Sequence, residues 1–351
     1  MLRFGHVLLL LGCCFLLVSC GVKTKAPTVS DRATAIEEEM QRQAVAEKEE
    51  EHRQRLYRVG NLVRTANVDL CGEKVANYDG FYAATLLVYP KEWRSAQAAV
   101  RGLDDRLRVT YVFADSPSER AGLTVGDVIK SIGGTDIPEG KEAMKVYVDK
   151  TGMLDYSEPF EMVVEHNGVD HTVRIEPEKI CGARLRVGPE TFVNAFASKD
   201  TVTVTKGMLE FLESDDELAL IIGHEFGHYA MQHIEDATKR ASVGMVADVL
   251  LAVFTGVSTN AFASMGAGMY SLEQEYEADY VGAYMSCRGG FDPSVGPQLW
   301  RRMSAHAAVY TDKDGSTHPS NAARGARLKE IMAEIDGKQK RGEDLLPNFT
   351  E

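Results

Sequence analysis

His224 and His228 stand four residues apart and flank Glu225 in the run His224-Glu225-Phe226-Gly227-His228. Four residues are about one helical turn, so on a helix both imidazoles reach a common point and can share one zinc ion. Glu225 then faces a water bound to that ion. The chemistry this spacing predicts is hydrolysis by an activated water, with Glu225 as general base, as in a zinc metallopeptidase.

The flanking residues predict the helix. Ser214 followed by Glu217 is a capping-box pattern, and Asp215, Asp216 and Glu217 put negative charge in the first turn, where the helix dipole favours it. Leu218, Ile221 and Ile222 form an apolar stripe. Gly223 and Gly227 run against propensity, at about 1 kcal/mol each relative to Ala. Their missing side chains would let another helix or a substrate backbone come close.

A catalytic zinc needs a third protein ligand and an open position. His233 follows His228 by five residues. On a continuous helix that is about 500° of rotation, which carries it off the His228 face. It also falls one residue short of the metzincin spacing. His233 is therefore rejected as a ligand and expected to be a neutral or solvated structural residue. The better candidate lies in Ser271-Leu272-Glu273-Gln274-Glu275-Tyr276-Glu277-Ala278-Asp279, where Ser271 and Gln274 again read as a capping box. That second helix should end at Arg288-Gly289-Gly290. Glu275 and Asp279 share a face on it, and Ala278, Gly282 and Ser286 are small enough to pack on the Gly223/Gly227 helix. That packing would deliver Glu275 as third ligand and Asp279 as a carboxylate holding a zinc-bound His. By spacing alone, Glu273, Glu275 and Glu277 also fit a solvated acidic face.

Four ordered segments resemble the M48 zinc metallopeptidases. They are Val193-Asn194-Ala195-Phe196-Ala197, Glu217-Leu218-Ala219 leading into the His224–His228 run, Glu275-Tyr276-Glu277-Ala278-Asp279, and Thr317-His318-Pro319-Ser320 with Arg324 and Leu328. The resemblance covers roughly residues 180–335. It implies one zinc per chain, held by His224, His228 and Glu275, with Glu225 as base and Asp279 behind a ligand. His318 and Arg324 would stabilise the oxyanion or occupy the open zinc position, and His318 also reads as a plain loop residue before Pro319. Asn194, Ala195 and Phe196 would form the edge strand that pairs with substrate. The fold expected is α+β: a mainly helical, gluzincin-type metallopeptidase domain with a small edge sheet, plus an inserted β-rich domain.

The N-terminus bears on compartment. Arg3 precedes an apolar run from Val7 to Val18, too short to span a bilayer. It ends at Leu17-Val18-Ser19-Cys20-Gly21, which resembles a bacterial lipobox with lipidation at Cys20; a plain signal peptide or short anchor is the alternative. No Asp follows Cys20, which resembles lipoproteins sent to the outer membrane, facing the periplasm. Of six cysteines, Cys13 and Cys14 fall in the leader and Cys20 carries the lipid. Cys71-Gly72 and Cys181-Gly182 bracket an insert and are paired as a disulfide, leaving Cys287 buried and free.

Between those cysteines, Ser116-Pro117, Ala121-Gly122-Leu123, Gly126-Asp127-Val128-Ile129 and Gly133-Gly134 look like a PDZ domain, closed by strands at 160–165 and 172–175 about an Asn167-Gly168 turn. Such domains capture extended peptides by strand addition, though no clear carboxylate loop is present; Gly80-Phe81 and Gly102-Leu103 are weak candidates. A β-rich insert without ligand is the alternative. Residues 31–58 are charge-rich and read as a solvated helix or spacer, or as disorder, whereas Leu56, Val59, Leu62, Val63 and Ala66 should pack on the catalytic domain. Met245–Val257 reads as a core helix and Ser258–Gly268 as a lid over the site.

The chain's 351 residues suffice for two domains with tethers, and its net charge of −13 argues against nucleic acid. The organisation expected is a leader at 1–19, a charged tether at 20–55, a catalytic domain at 56–71 plus 181–340, a PDZ-like insert at 72–180 and a tail at 341–351. The function expected is a membrane-anchored zinc endopeptidase acting on unfolded or misassembled envelope proteins, with a possible peptide or protein ligand for the insert. The alternative is a non-proteolytic chaperone or assembly factor that uses the insert, its zinc only gating or structural.

Overall fold

The computed structural model describes residues 27–236, 239, 270–309 and 322–349. The chain comprises two compact units, 1–41 and 42–351. Helix α1 (Asp31–Thr65) opens with the Ser30 Oγ accepting from the Ala33 amide at 3.2 Å. Its first residues, to 41, make up the described helical part of the first unit.

Within the second unit, the later turns of α1 bury Leu56, Val59 and Val63. Leu62, expected to pack, is exposed instead, and Gly60 takes the inward position against Leu185. The charged run is a helix whose outer face is solvated, with Glu47, Lys48 and Glu51 exposed, while some of its charges are tied to the rest of the unit. Glu49 pairs with Lys206 at 2.5 Å, Glu50 with Arg101 at 3.0 Å, and Arg55 with Asp215 at 3.0 Å.

A short 3-10 turn carries the chain to Cys71, which is disulfide-bonded to Cys181 with a Cα–Cα distance of 5.6 Å. The intervening residues form β1 (Val75–Tyr78), β2 (Phe81–Ala84), α2 (Arg94–Arg101), β3 (Arg108–Val112), α3 (Pro117–Arg120), β4 (Val128–Ile132), β5 (Thr135–Asp136), α4 (Ala143–Thr151), β6 (Phe160–His166), β7 (Val169–Ile175) and β8 (Glu178–Cys181). The main sheet runs β2-β3-β4-β6-β7 with antiparallel neighbours, and β5 pairs with β4. Asn167 (φ 51°) and Gly168 (φ 80°) make the two-residue hairpin between β6 and β7, where both central positions need positive φ. Ser116 caps α3 with Pro117 in its first turn. Leu107, Ile129, Ile132, Met162 and Ile175 form a core of their own. β1 and β8 close the segment as an antiparallel ribbon, with Val75 opposite Cys181. Tyr57 of α1 meets Tyr82 and Tyr111 at ring separations of 4.7 Å and 5.0 Å.

The rest of the unit holds β9 (Arg184–Gly188), β10 (Ala195–Ala197), β11 (Thr201–Thr205), α5 (Lys206–Phe211), α6 (Asp215–Ala230), α7 (Leu272–Arg288), α8 (Gly296–Val309) and α9 (Ala322–Arg341). The small sheet is ordered β10-β11-β9, antiparallel then parallel. Its core includes Leu218, Ile222, Phe226, Val281, Tyr284 and Leu299. Residues after α9 fold back: the Asn348 amide donates to Tyr280 Oη at 2.7 Å, and Lys338 Nζ to Asn348 Oδ1 at 2.9 Å. Cys287 is free but half-buried rather than buried, with Gln339 Nε2 at 3.3 Å from its sulfur. Among the described residues no helix is long and apolar enough to cross a membrane. Cys20, the leader and the segments Met245–Val257 and Ser258–Gly268 lie outside the described residues.

Candidate metal centre

The centre is built by two helices in backbone contact. Ser214 caps α6 by accepting from the Glu217 amide at 3.2 Å. The Glu217 carboxylate does not return that bond; it accepts from the Glu213 amide at 2.8 Å and binds Arg302 at 2.5 Å. Ser271 and Gln274 form the full reciprocal box on α7. A Cβ on Gly223 would lie 2.4 Å from the Gly282 carbonyl oxygen, and one on Gly227 would lie 2.9 Å from that of Ala278. Only glycine at these points lets α7 approach, which explains the propensity cost on α6.

That approach brings His224, His228 and Glu275 together, all buried, with one donor atom from each within 4.8 Å of the others. His224 Nε2 is 3.1 Å from His228 Nε2 and 3.5 Å from Glu275 Oε2, and His228 Nε2 is 3.5 Å from Glu275 Oε1. Tetrahedral zinc with N and O ligands at about 2.0–2.1 Å needs donors about 3.3 Å apart. Two imidazoles and a carboxylate, with one donor atom from each within 4.8 Å, fit zinc in chemistry, and the spacings of His228 Nε2 to His224 Nε2 and to Glu275 Oε1 fit it in separation.

Asp279 reaches the far nitrogen of His224, with Oδ1 2.9 Å from Nδ1. Arg324 of α9, 3% exposed, forks onto Asp279 at 2.8 Å and 2.7 Å and places Nη1 2.7 Å from Glu275 Oε2. The guanidinium lies 5.1 Å from the Trp300 ring centre, which flanks His224. Burial alone would raise the Asp279 pKa, but the Arg324 hydrogen bond and charge, then His224, outweigh it and hold it low. Burial opposes protonation of His224, yet hydrogen bonds to Asp279 and Glu275 overcome it and lift its pKa to about 9 in the metal-free chain. The proton therefore competes for the site a cation would fill.

Glu225 lines a cleft of ≈ 50 Å³ together with His224, Asn194, Ala195, Trp300 and Arg324. That volume admits water. β10 borders the cleft and pairs with β11 alone among the described strands. Asn194 precedes it, its backbone pinned to Thr205, and Phe196 is half-buried. His318 lies outside the described residues.

His233 departs from expectation. α6 ends at Ala230, Gln232 adopts φ 58°, and the chain turns before His233. His233 is therefore not on the His228 helix, and extrapolating the helical rotation to it fails. The ring is 2% exposed rather than solvated, with Nδ1 2.9 Å from His228 Nδ1 and Nε2 2.8 Å from Glu277 Oε2. Tyr270 stacks on His228 at 3.7 Å. The two His233 contacts were not readable from the sequence, because Met231-Gln232 holds no glycine to signal a helix stop.

Residues 185–332 match the profile of Peptidase family M48. Relatives include the mitochondrial metalloendopeptidase OMA1 of Arabidopsis thaliana, 31% identical over 144 residues, covering 40% of this chain and 30% of that protein. OMA1 of Schizosaccharomyces pombe is 29% identical, covering 39% and 43%. The beta-barrel assembly-enhancing protease of Escherichia coli (strain K12) is 28% identical, covering 38% and 31%. The chain spans less than half the length of each of these relatives. Solved structures that align include the HtrA3 PDZ domain bound to a phage-derived ligand, 19% identical, covering 31% of this chain and 91% of that one at a TM-score of 0.23. Another is the HtrA-type protease AlgW with decapeptide, 21% identical, covering 30% of each at a TM-score of 0.23.

Proposed function

We propose, on the premise that residues 185–332 are a Peptidase family M48 domain, that the chain is a zinc endopeptidase of gluzincin type. The observation that carries this is the convergence of His224, His228 and Glu275 beside a cleft lined by Glu225 and by β10, an edge strand among the described residues. In this account those three residues hold one zinc, which supplies Lewis acidity and lowers the pKa of a bound water. Glu225 takes a proton from the attacking water at its carboxylate and delivers it to the departing amide nitrogen. Asp279 keeps the proton of His224 on Nδ1 and so leaves the Nε2 lone pair for a cation. Arg324 binds Oε2 of Glu275 and offsets the charge of Asp279, leaving Oε1 for a cation. His318 would stabilise the oxyanion or occupy the open zinc position.

Substrate would add as a strand along β10, contacting Asn194, Ala195 and Phe196. Backbone pairing of this kind suits unfolded polypeptide, because it needs an extended segment and no particular side chain. With Cys20 lipidated, the enzyme would face the periplasm from the outer membrane and act on unfolded or misassembled envelope proteins. A relative named for β-barrel assembly fits that setting. Residues 72–180 would be a PDZ-like insert that presents peptide to the catalytic domain of 56–71 and 181–340; of the charged stretch 20–55, only the residues before 42 would serve as tether, because 42–55 belong to the second unit.

The test is cleavage of unfolded casein by the purified chain, with zinc counted by metal analysis. Activity should vanish on chelation and return with one zinc per chain. Equal cleavage by metal-free and zinc-loaded protein would contradict the proposal.

A further inference from the structure

We propose that His233 is a positioning residue for this centre: anchored by Glu277, it fixes the tautomer and ring plane of His228. This rests on His228 being a zinc ligand, as proposed above. His228 turns Nε2 toward His224 and Glu275, so the lone pair available to a cation is on Nε2. The ring proton of a neutral His228 then sits on Nδ1. The group 2.9 Å from Nδ1 is Nδ1 of His233, which must accept that proton. His233 in turn carries its own proton on Nε2, 2.8 Å from Glu277 Oε2. Both hydrogen bonds run one way, from His228 to His233 to the carboxylate, and any other tautomer breaks one of them.

The two zinc-side imidazoles are thus held by the same helix through different reach. Asp279 of α7 meets His224 directly at 2.9 Å. His228 lies one turn further along α6, and Glu277 reaches it only through an intervening ring. The turn at Gln232 puts that ring in place. Tyr270 stacks on His228 with an interplanar angle of 17°, so its ring plane is constrained from its face as well as its edge. A buried imidazole with both nitrogens engaged is more than packing; an apolar residue would fill the space without accepting from His228. Glu277 is 45% exposed at its side chain and borders an open groove with Tyr276 and Arg327, so solvent weakens its hold.

The test compares the zinc dissociation constant, by chelator competition, of the full chain with those of His233→Ala, His233→Gln and Glu277→Gln. Unfolding of each metal-free form serves as the folding control. Loss of an outer partner of a ligating His costs about 10–100-fold in metal affinity, the loss expected for His233→Ala. His233→Gln should recover most of it, because an amide oxygen can accept from His228 while its NH2 donates to Glu277. Glu277→Gln should weaken zinc measurably, by roughly two- to tenfold, given its exposure. Wild-type affinity in a folded His233→Ala, or no recovery with Gln, overturns the inference and leaves the zinc reading intact. If His233→Ala does not fold, the Gln and Glu277 variants decide, and unchanged affinity in Glu277→Gln then counts against it. A wild-type chain that takes up no zinc removes the centre itself.

Discussion

The carbonyl oxygen of Gly282 lies where a Cβ on Gly223 would approach it to 2.4 Å, and a Cβ on Gly282 would come within 2.5 Å of the His224 amide nitrogen. This contact sets the distance at which α7 presents Glu275 to the two histidines. Alanine would add about 1 kcal/mol of helix propensity at either site. The obstacle is backbone, however, which cannot swing aside, so overpacking of about 1–3 kcal/mol should prevail. Gly282→Ala is expected to lower the urea midpoint and to lose zinc more readily than wild type; unchanged values for both would show that the helices can part without harm.

Arg324 is the buried counter-charge for two carboxylates, Asp279 and Glu275. Removing one member of a buried ion pair costs about 3–5 kcal/mol, because the partner charge is left without compensation. Arg324→Ala should therefore destabilise the metal-free protein by about that amount. Zinc supplies positive charge to the same carboxylates, so the zinc-loaded variant should lose less. Thermal melts with and without zinc check this; equal losses in the two states would argue against shared neutralisation.

Cys71 and Cys181 close a loop with a sequence separation of 110. On the chain-entropy view a loop of that size contributes about 4–5 kcal/mol, although measured values cluster near 2–4. The double variant Cys71→Ser, Cys181→Ser should melt lower by that order. Reductant should shift wild type toward the variant and leave the variant unmoved.

Asp215 links the first turn of α6 to Arg55 and Arg58 of α1. Burial raises its pKa, but hydrogen bonds from Arg58 and Arg55 outweigh that and leave it below the ordinary value. A depressed folded pKa contributes stability that is present above the unfolded value, about 3.9, and is lost as pH falls through the folded one. Asp215 is a third exposed, so the pair is worth about 0.5–1 kcal/mol. Asp215→Asn should lose that at pH 7 and show a shallower fall in stability below about pH 4. Denaturant midpoints across pH 3–7 measure it; parallel curves would contradict it.

The helices of the centre were legible because their signals are local. Ser214, Ser271 and Gln274 announce starts within one turn, and the small residues at 223, 227, 278 and 282 announce a close crossing. The Asn167-Gly168 hairpin was legible for the same reason. The end of α6 was not, since nothing at Met231-Gln232 marks it, and the error carried His233 to the wrong face. The packing of the charged run in α1 was hidden too. Its ion pairs join Glu49 to Lys206 and Arg55 to Asp215, and no local pattern encodes a partner about 160 residues away. Leu62 misled because apolar spacing names a stripe, not which of its residues faces in.

The most direct measurement is the hydrolysis of unfolded casein by Glu225→Gln, with zinc content determined on the same sample. The substitution keeps the shape of a residue lining the cleft and removes its capacity to take a proton. The account predicts that zinc is retained at the wild-type level while kcat falls by about 10²–10⁴. Casein digestion at the wild-type rate by a zinc-loaded Glu225→Gln would contradict it.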